Sequence, residues 1–441
     1  MKKWLTRCAV AAALILIALL LLVLQPIAPG IRMGQPLPPG KVRPQLVNAR
    51  DTAVLLAPDG SLWAWGGTFF SLTNVSPRPA ISQVPIRIGS DSDWMQVASD
   101  GQHAVALKND GSLWAWGRNE SGQVGQGNFT NGYGTPTRIG TQTNWTRISA
   151  GGGHSLALQS DGSLWAWGCN NDGQLGDATT NNRSVPTMVG TNRDWQTIAA
   201  CGLNSFALKS NGTIWGWGYD RSSNNLTPTQ IALGDNWLAI SAYGPNVLAL
   251  KTDRTLWLGG FGFPNRASFL SSSLTANLTQ IGRDRDWTEV YAGLDSYFAR
   301  RKDGSWWVCG QNRDGQLGLG TNIITLRFPQ RLPFDFEPWA FAPGTGTALM
   351  LGQDGKLWTW GLRLGARQPS AARKKIEALL APAVRRFPPL GFLIKSAIDQ
   401  TPHLLWELPP EVRRSLGTGP KSATDNVTAG RPAAAPARPG A

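Results

Sequence analysis

Short apolar runs with a period of two recur along the chain and alternate with polar corners that contain Asp-Gly or Asn-Gly. Around one corner, Asn109-Asp110-Gly111, an apolar run at 104–107 precedes it and another at 112–116 follows it. A period of two is typical of β-strands, and Asp-Gly between two such runs favours a β-hairpin because Gly adopts positive φ without a steric penalty. Each corner therefore predicts one antiparallel hairpin.

The phrase DGSLWAWG, or a close variant of it, occurs seven times between residues 59 and 361. Consecutive turns are 51, 51, 50, 42, 50 and 51 residues apart. A period near fifty indicates a supersecondary unit that buries its apolar face only by stacking on copies of itself. Seven hairpins predict an all-β, seven-bladed β-propeller with one repeat per blade. The turn positions are Gly60, Gly111, Gly162, Gly212, Arg254, Gly304 and Gly355.

Tryptophan follows the same period. In five of the seven return strands two indoles stand two residues apart and share one face, while smaller residues such as Leu and Ala lie on the other face. Large rings at a fixed register in every repeat are expected to form the core between blades. These rings are Trp63, Trp65, Trp114, Trp116, Trp165, Trp167, Trp215, Trp217, Trp257, Trp307, Trp358 and Trp360. A further set lies 17 residues before the turn positions, or 16 in the last case: Trp94, Trp145, Trp195, Trp237, Trp287 and Trp339.

The third repeat carries the fullest motif. Its residues resemble the repeats of the regulator of chromosome condensation family, in a bacterial-type member, and the resemblance extends over residues 51–361. It implies a seven-bladed propeller with four short antiparallel strands per blade. The matching residues are Gly151, His154, Ala157-Leu158, Asp161-Gly162, Trp165-Ala166-Trp167-Gly168, Asn170 and Gly173-Gln174-Leu175-Gly176.

The resemblance says less about activity. The founder of that family is a nucleotide-exchange factor on chromatin, bacterial relatives include secreted inhibitors of beta-lactamases, and many members are interaction platforms. Fold analogy alone does not transfer function. The fifth repeat also departs from the pattern, since Arg254 replaces the turn glycine and the second Trp is missing.

The net charge of +14 belongs to the ends of the chain. Residues 1–50 hold seven Lys/Arg and no acids, and residues 362–441 hold 13 Lys/Arg against five acids. The repeats hold 22 Lys/Arg against 23 Asp/Glu, so nucleic-acid binding by the propeller is not expected.

Changes in composition and charge along the chain predict five segments. These are a signal anchor (1–25), a Pro/Gly-rich spacer (26–44), the propeller (45–361), a basic, partly helical tail (362–416) and a disordered Pro/Ala-rich end (417–441).

The N-terminus predicts a membrane anchor. Lys2, Lys3 and Arg7 precede the apolar run 8–24. The run is long enough to approach the thickness of a bilayer, and the only small residue near its end, Ala28, is followed by Pro29. We expect a single-pass transmembrane helix that leaves the propeller outside the cytoplasm. The alternative is a cleaved signal and a secreted protein.

The residues that could carry chemistry are few. His103 and His154 occupy the same register in adjacent repeats, which favours a structural role, and His403 lies in the tail. Cys169 and Cys201 could form a disulfide in an oxidising compartment or remain separate thiols. No zinc or calcium spacing is present. The sequence therefore predicts a protein that is not an enzyme and needs no cofactor, metal or small-molecule substrate.

The loops after each Trp-x-Trp-Gly are the longest and least repetitive parts of the propeller. Unrepeated aromatic and arginine side chains in such loops are candidates for partner binding. We expect a non-catalytic module that binds a protein; the alternatives are an inhibitor of a cell-wall enzyme such as a beta-lactamase, a propeller hydrolase and, last, a nucleotide-exchange factor. The candidate residues are Phe69, Phe70, Phe129, Tyr133, Arg183, Tyr219, Arg221 and Phe263.

Overall fold

A computed structural model describes residues 42–49, 52–66, 82–219, 225–232, 234–244, 246–260, 278–319, 324–332, 338–353, 355–361 and 403–407. Within these ranges every regular element is a β-strand. They contain no helix with the length and apolarity needed to cross a membrane. The expected anchor (1–25), the helical part of the tail and the end 417–441 lie outside the described residues.

Twenty-eight strands form seven four-stranded sheets. The first strands of the blades are β1 (Gln45–Ala49), β5 (Trp94–Ser99), β9 (Trp145–Ala150), β13 (Trp195–Cys201), β17 (Trp237–Tyr243), β21 (Trp287–Ala292) and β25 (Pro338–Pro343). The second strands are β2 (Thr52–Leu56), β6 (His103–Lys108), β10 (His154–Gln159), β14 (Asn204–Lys209), β18 (Asn246–Lys251), β22 (Ser296–Arg301) and β26 (Thr347–Gly352).

The third strands are β3 (Leu62–Gly66), β7 (Leu113–Arg118), β11 (Leu164–Gly168), β15 (Ile214–Gly218), β19 (Leu256–Gly260), β23 (Trp306–Gln311) and β27 (Lys356–Gly361). The fourth strands are β4 (Ser82–Arg87), β8 (Gly132–Arg138), β12 (Arg183–Met188), β16 (Asn225–Gln230), β20 (Thr279–Ile281), β24 (Thr325–Arg331) and β28 (His403–Glu407).

In every sheet the strands are antiparallel and follow chain order, and the first strands of neighbouring blades lie side by side around a closed ring. The seven-bladed β-propeller is confirmed. The turns between second and third strands lie at one end of the ring, which we call the hairpin face. The connections between third and fourth strands lie at the other end, which we call the loop face.

A chain of side-chain hydrogen bonds explains the phrase Asp-Gly-Ser-x-Trp. In blade 2, Asp110 Oδ1 accepts from the Ser112 amide at 2.9 Å and from its hydroxyl at 2.6 Å, and Ser112 Oγ accepts from Trp114 Nε1 at 2.8 Å. Equivalent chains stand in blades 1, 3, 4, 5 and 6. Gly111 has φ +75°, and a Cβ there would lie 2.1 Å from the Thr143 carbonyl oxygen. Asp, Gly, Ser and Trp thus each have a defined role in the geometry of this turn.

The core consists of seven clusters, one at each junction between neighbouring blades. At the junction of blades 2 and 3, Trp167 packs against Leu107 and Ala115 of the preceding blade. The second Trp of the return strand is fully buried in blades 1, 2, 3, 4 and 7. The first Trp of each return strand, from Trp63 to Trp358, is half-buried. Burial of rings this large is a main source of stability for a domain of this kind.

The ring closes by side-chain packing between blades 7 and 1, and each blade keeps its own four strands. Leu46 and Leu55 of blade 1 contact the cluster that holds Leu349 of blade 7. The Asn48 amide donates to the Ala342 carbonyl at 3.2 Å and to Thr347 Oγ1 at 3.0 Å. A buried amide with these acceptors fixes the relative position of two segments about 300 residues apart.

Blade 7 differs from the sequence expectation at both of its ends. Pro338 pairs with Gly352, as Trp94 pairs with Lys108, so Trp339 is displaced by one residue from the register of the other first-strand tryptophans. The outer strand β28 pairs with β27 through His403↔Thr359 and Leu404↔Trp358. The sequence analysis ended the propeller at 361, whereas residues 403–407 of the tail complete its seventh sheet.

Candidate functional site

A second chain of hydrogen bonds joins each regular blade to the next at the loop face. The Gln123 carbonyl of blade 2 accepts from Ser155 Oγ at 3.0 Å and from Trp167 Nε1 at 2.9 Å, and both donors belong to blade 3. The Gln174 carbonyl accepts in the same way from Ser205 and Trp217 of blade 4. The Gly-Gln-Leu-Gly segment therefore holds neighbouring blades in register.

The fourth strands provide a further contact between blades. The Ser184 carbonyl accepts from the Gly127 amide of the preceding blade at 2.8 Å, and the Leu226 carbonyl accepts from the Ala178 amide at 2.9 Å. These contacts pin the loops of blades 2 and 3 against the strands that follow. The loop face of blades 2–4 is therefore a preorganised surface.

At the hairpin face, cations lie between pairs of indole rings. Lys108 Nζ lies 4.8 Å from the Trp94 ring centroid and 4.7 Å from that of Trp114, and it contacts Asp91 at 2.8 Å. Lys209, Lys251 and Arg301 occupy the same place in blades 4, 5 and 6. Lys108, Lys209 and Arg301 also form ion pairs with aspartates, and all four cations are at least half-buried, so they stabilise the blades and are poorly placed to bind a ligand.

Asp100, His103 and Ser155 are connected in the order of a catalytic triad. His103 Nδ1 lies 3.1 Å from Asp100 Oδ1, and His103 Nε2 lies 2.9 Å from Ser155 Oγ. Both His103 and Ser155 are fully buried, and the Ser155 hydroxyl donates to the Gln123 carbonyl. A nucleophile needs access to substrate and a free lone pair directed at it. This arrangement is a structural link between blades 2 and 3.

The equivalent histidine in blade 3 has no acid beside it. His154 Nε2 contacts Ser205 Oγ at 2.9 Å, and its Nδ1 is buried without a partner. Burial, and then the charge of His103, lowers the pKa of His154 to about 3. For Asp100, burial acts to raise the pKa, but the charge and hydrogen bonds of His103 hold it below its usual value. His154 is thus a neutral hydrogen-bond donor.

Two of the three thiols in the described part of the chain are buried and poorly reactive. Cys169, Cys201 and Cys309 are all unpaired, so the disulfide considered for the first two is not formed. Burial raises the pKa of Cys309 to about 12 and raises that of Cys201 as well, which suppresses the reactive thiolate. Among the described residues, no group of three His, Cys, Asp or Glu side chains could hold a metal ion.

Four candidate partner-binding residues lie within the described ranges. Phe129 is 55% exposed on the loop of blade 2, and Tyr219 is 37% exposed after β15. Tyr133 is half-buried, and its hydroxyl accepts from Asn128 Nδ2 at 2.8 Å. Arg183 forms an ion pair with Asp177 at 2.8 Å, which orders its own loop. Phe69, Phe70, Arg221 and Phe263 lie outside the described residues.

Two exposed apolar residues next to Phe129 and Tyr219 are not among the residues predicted from the sequence. Val185, 48% exposed, lies on β12 next to Ser184, where the loop that carries Phe129 docks. Leu203, 41% exposed, lies beside Tyr219, whose amide donates to the Leu203 carbonyl. Val185 precedes a proline in a polar strand, and Leu203 lies in a two-residue turn. A sequence pattern shows neither their exposure nor their neighbours, because both depend on contacts across the fold.

Family models for the regulator of chromosome condensation (RCC1) repeat match residues 110–158 and 161–208, and a second model of that repeat matches 96–123 and 145–174. Human HERC3, a probable E3 ubiquitin-protein ligase, is 38% identical over 84 residues, which are 19% of this chain and 8% of that protein. This chain spans 8% of HERC3 and 28% of RUG3, a mitochondrial RCC1 domain-containing protein of Arabidopsis thaliana that is 35% identical over 130 residues.

Solved structures match over a much larger share. The crystal structure of human WBSCR16 superposes with a TM-score of 0.61 and 20% identity, over 74% of this chain and 94% of that one. Prp20p from Saccharomyces cerevisiae, described with its binding properties to Gsp1p and histones, superposes with a TM-score of 0.57 and 19% identity, over 76% and 85%. At these identities the likeness concerns the fold alone.

Proposed function

Since this chain is a propeller that carries regulator of chromosome condensation repeats, we propose that it is a non-catalytic module that binds a protein partner through its loop face. We also propose that it is held at a membrane by residues 8–24, with the propeller outside the cytoplasm. The observation that carries the first part is the set of exposed apolar side chains on the ordered loop face: Phe129, Val185, Leu203 and Tyr219.

The energetics of binding support this choice of surface. Binding energy concentrates in a few aromatic and apolar side chains that lose water on association, and a rigid surface loses little entropy. Phe129 and Val185 form one apolar patch at the junction of blades 2 and 3, and Leu203 and Tyr219 form another on blade 4. Prp20p is described with protein ligands, which is consistent with a protein partner here.

A hydrolase has weaker support. The serine that the structure links to histidine and aspartate is buried, and its hydroxyl is committed to a carbonyl group. HERC3 is described as a ligase, but it aligns with this chain over only 8% of its length. We therefore assign no reaction to the described residues.

The experiment is capture of partners by the full chain in native membranes, with quantitative mass spectrometry. The test variant combines Phe129→Ala, Val185→Ala, Leu203→Ala and Tyr219→Ala. The control combines Met95→Ala and Met188→Ala, which remove apolar side chains of similar exposure near the hairpin face. We expect a specific partner to be lost by the test variant and kept by the control. Equal recovery by both would show that the loop face is not the contact surface.

Membrane attachment has its own test. Cells that express the full chain, and a form that begins at residue 30, are fractionated, and the membranes are treated with protease from either side. We expect only the full chain to remain with membranes, with its propeller cleaved from the outer side. If the shorter form fractionates with membranes to the same extent, residues 8–24 are not the anchor.

A further inference from the structure

The fourth strands share an irregularity that places one side chain on the outer rim of the blade. In blade 2, Tyr133 pairs with Gly117 and Thr137 pairs with Ala115, so two extra residues bulge between them. The second of these is Pro136, and the first, Thr135, is exposed. The same bulge, a residue followed by proline, occurs in blades 1, 3, 4 and 6. Since proline lacks an amide hydrogen, the bulge also discourages pairing of the outer edge with another strand.

In blade 6 the bulged residue is an aromatic. Phe328 stands where blades 2, 3 and 4 have Thr135, Val185 and Thr227, and it is 69% exposed. Ile324, four residues earlier, is 61% exposed and stands where blade 2 has Asn131. These are the two most exposed large apolar side chains in the described part of the chain. At this bulge position blade 6 therefore presents a larger apolar side chain to water than blades 2, 3 and 4 do.

Positive charge accompanies these apolar side chains. Arg327 and Arg331 lie on the same strand, and both are exposed. Between residues 306 and 331 the chain has three arginines, the third being Arg313, and one acid, Asp314. An aromatic and an aliphatic side chain flanked by arginines suit the interface of an anionic bilayer, where rings enter the headgroup region and guanidinium groups meet phosphates.

The position of blade 6 in the ring adds an independent argument. In a seven-bladed ring, blade 6 lies opposite the junction of blades 2 and 3, where Phe129 and Val185 form the apolar patch. The segment that follows the expected anchor passes near the first strand of blade 6, since Arg43 Nη2 lies 3.9 Å from Glu289 Oε2 on β21. If blade 6 faces the membrane, the proposed partner-binding patch lies at the far side of the ring.

We propose that the rim of blade 6, formed by Ile324, Arg327, Phe328 and Arg331, rests on an anionic phospholipid surface and orients the propeller with the junction of blades 2 and 3 away from the membrane. This inference rests on the membrane attachment proposed above. It requires no change of conformation, since all four side chains are already exposed, three of them on the outer strand β24 and Ile324 directly before it. The ligand is the anionic headgroup together with the upper part of the acyl region.

The test places an environment-sensitive fluorophore on the full chain in lipid vesicles. In a background of Cys8→Ser and Cys169→Ser, with the two buried thiols retained, a cysteine is introduced by Phe328→Cys or by Thr135→Cys. The second variant is a matched control, because residue 135 holds the same bulge position in blade 2. Vesicles of phosphatidylcholine with and without phosphatidylglycerol are compared. Vesicle flotation reports attachment separately.

We expect a blue-shifted emission and protection from aqueous iodide at position 328 only, and only with phosphatidylglycerol. Arg327→Glu with Arg331→Glu should abolish this protection, whereas Arg138→Glu, which stands at the register of Arg331 in blade 2, should not. A chain that floats with vesicles while position 328 stays as accessible as 135 overturns the rim proposal alone. A chain that does not float overturns membrane attachment and the rim proposal with it. Protection that is equal without anionic lipid shows that headgroup charge plays no part in the contact and also overturns the proposal.

Discussion

Blades 3 and 5 build the same hairpin from different residues at the turn. Blade 3 has Asp161-Gly162, and blade 5 has Asp253-Arg254, with Arg254 at φ +65°. The chain of hydrogen bonds is nevertheless intact in blade 5, where Asp253 Oδ1 accepts from Thr255 Oγ1 at 2.6 Å. What a hairpin of this kind retains is therefore the acceptor at the first position, the hydroxyl at the third and the indole at the fifth.

The link to the neighbouring blade also survives the substitution. A Cβ at Gly162 would lie 2.0 Å from the Arg193 carbonyl oxygen, so the link between blades passes directly over the turn. In blade 5, where a Cβ is present, the amide of the next first strand, at Trp287, is still within hydrogen-bond distance of the Arg254 carbonyl at 3.4 Å. The same contact measures 3.1–3.3 Å in blades 1 to 4. Blade 5 therefore accommodates a Cβ at this turn and keeps its hydrogen bond to the next blade.

The largest loss of stability is expected when the second indole of the return strand in blade 3 is replaced by glycine, the residue that blade 5 has at that position. By register, Gly259 stands where blade 3 has Trp167. Trp167→Gly should lower the free energy of unfolding by about 4 kcal/mol or more, because a large cavity forms and a buried hydrogen bond is lost. Urea denaturation measures it. Trp167→Phe should lose about 1–2 kcal/mol. Unchanged midpoints for both variants would show that the junction does not depend on this ring.

His103 and His154 occupy equivalent positions, but only His103 has an acid beside it. We therefore expect His154 to make the stability of the propeller depend on pH. The folded state holds the pKa of His154 at about 3 against an ordinary value of 6.5, so the unfolded state binds the additional proton as the pH falls below 6.5. Stability is therefore lost on acidification at up to about 1.4 kcal/mol per pH unit, and nothing changes above pH 7. His154→Gln should reduce this slope between pH 6.5 and 4.5 in urea denaturation series. If the free energy of unfolding fell with pH by the same amount in the unmodified chain and in His154→Gln, His154 would not be the source of the pH dependence.

The hydrogen-bonded hairpin can be compared directly between blades 2 and 5. Asp110→Ala and Asp253→Ala should each lower the free energy of unfolding by about 1–2 kcal/mol, since a charged acceptor serves two donors in both turns. Similar losses of stability, measured by thermal unfolding, would show that blade 5 depends on this series of hydrogen bonds as much as a regular blade does. A much larger loss in blade 5 would mean that its glycine-free turn has no other support.

The smallest expected effect is an increase in stability. Arg254→Gly should raise the free energy of unfolding by about 1 kcal/mol, because glycine adopts positive φ without the penalty that a Cβ carries. The reciprocal change, Gly111→Ala, should destabilise by more, since its Cβ would meet the Thr143 carbonyl at 2.1 Å. Both are measured by urea denaturation. Destabilisation by Arg254→Gly would mean that the arginine side chain contributes more than its backbone strain removes.

Some features of the loop face could be predicted from the sequence, and others could not. Phe129 and Tyr219 are exposed, as expected of unrepeated loop aromatics. Arg183 and Tyr133 met the same criterion, yet their polar groups bond within their own loops. A single sequence shows that a residue is unusual for its register. It does not show whether that residue faces water or a neighbour.

By itself, the sequence determined the seven hairpins, their spacing and the face on which the indoles lie, because a β-hairpin and its alternation depend on residues a few positions apart. It also determined that these faces must stack. Only the tertiary structure decided how the ring closes, through Asn48 and Thr347, and that strand β28 completes blade 7. Contacts between distant segments depend on which surfaces remain unburied after every blade has formed, and no local pattern encodes that.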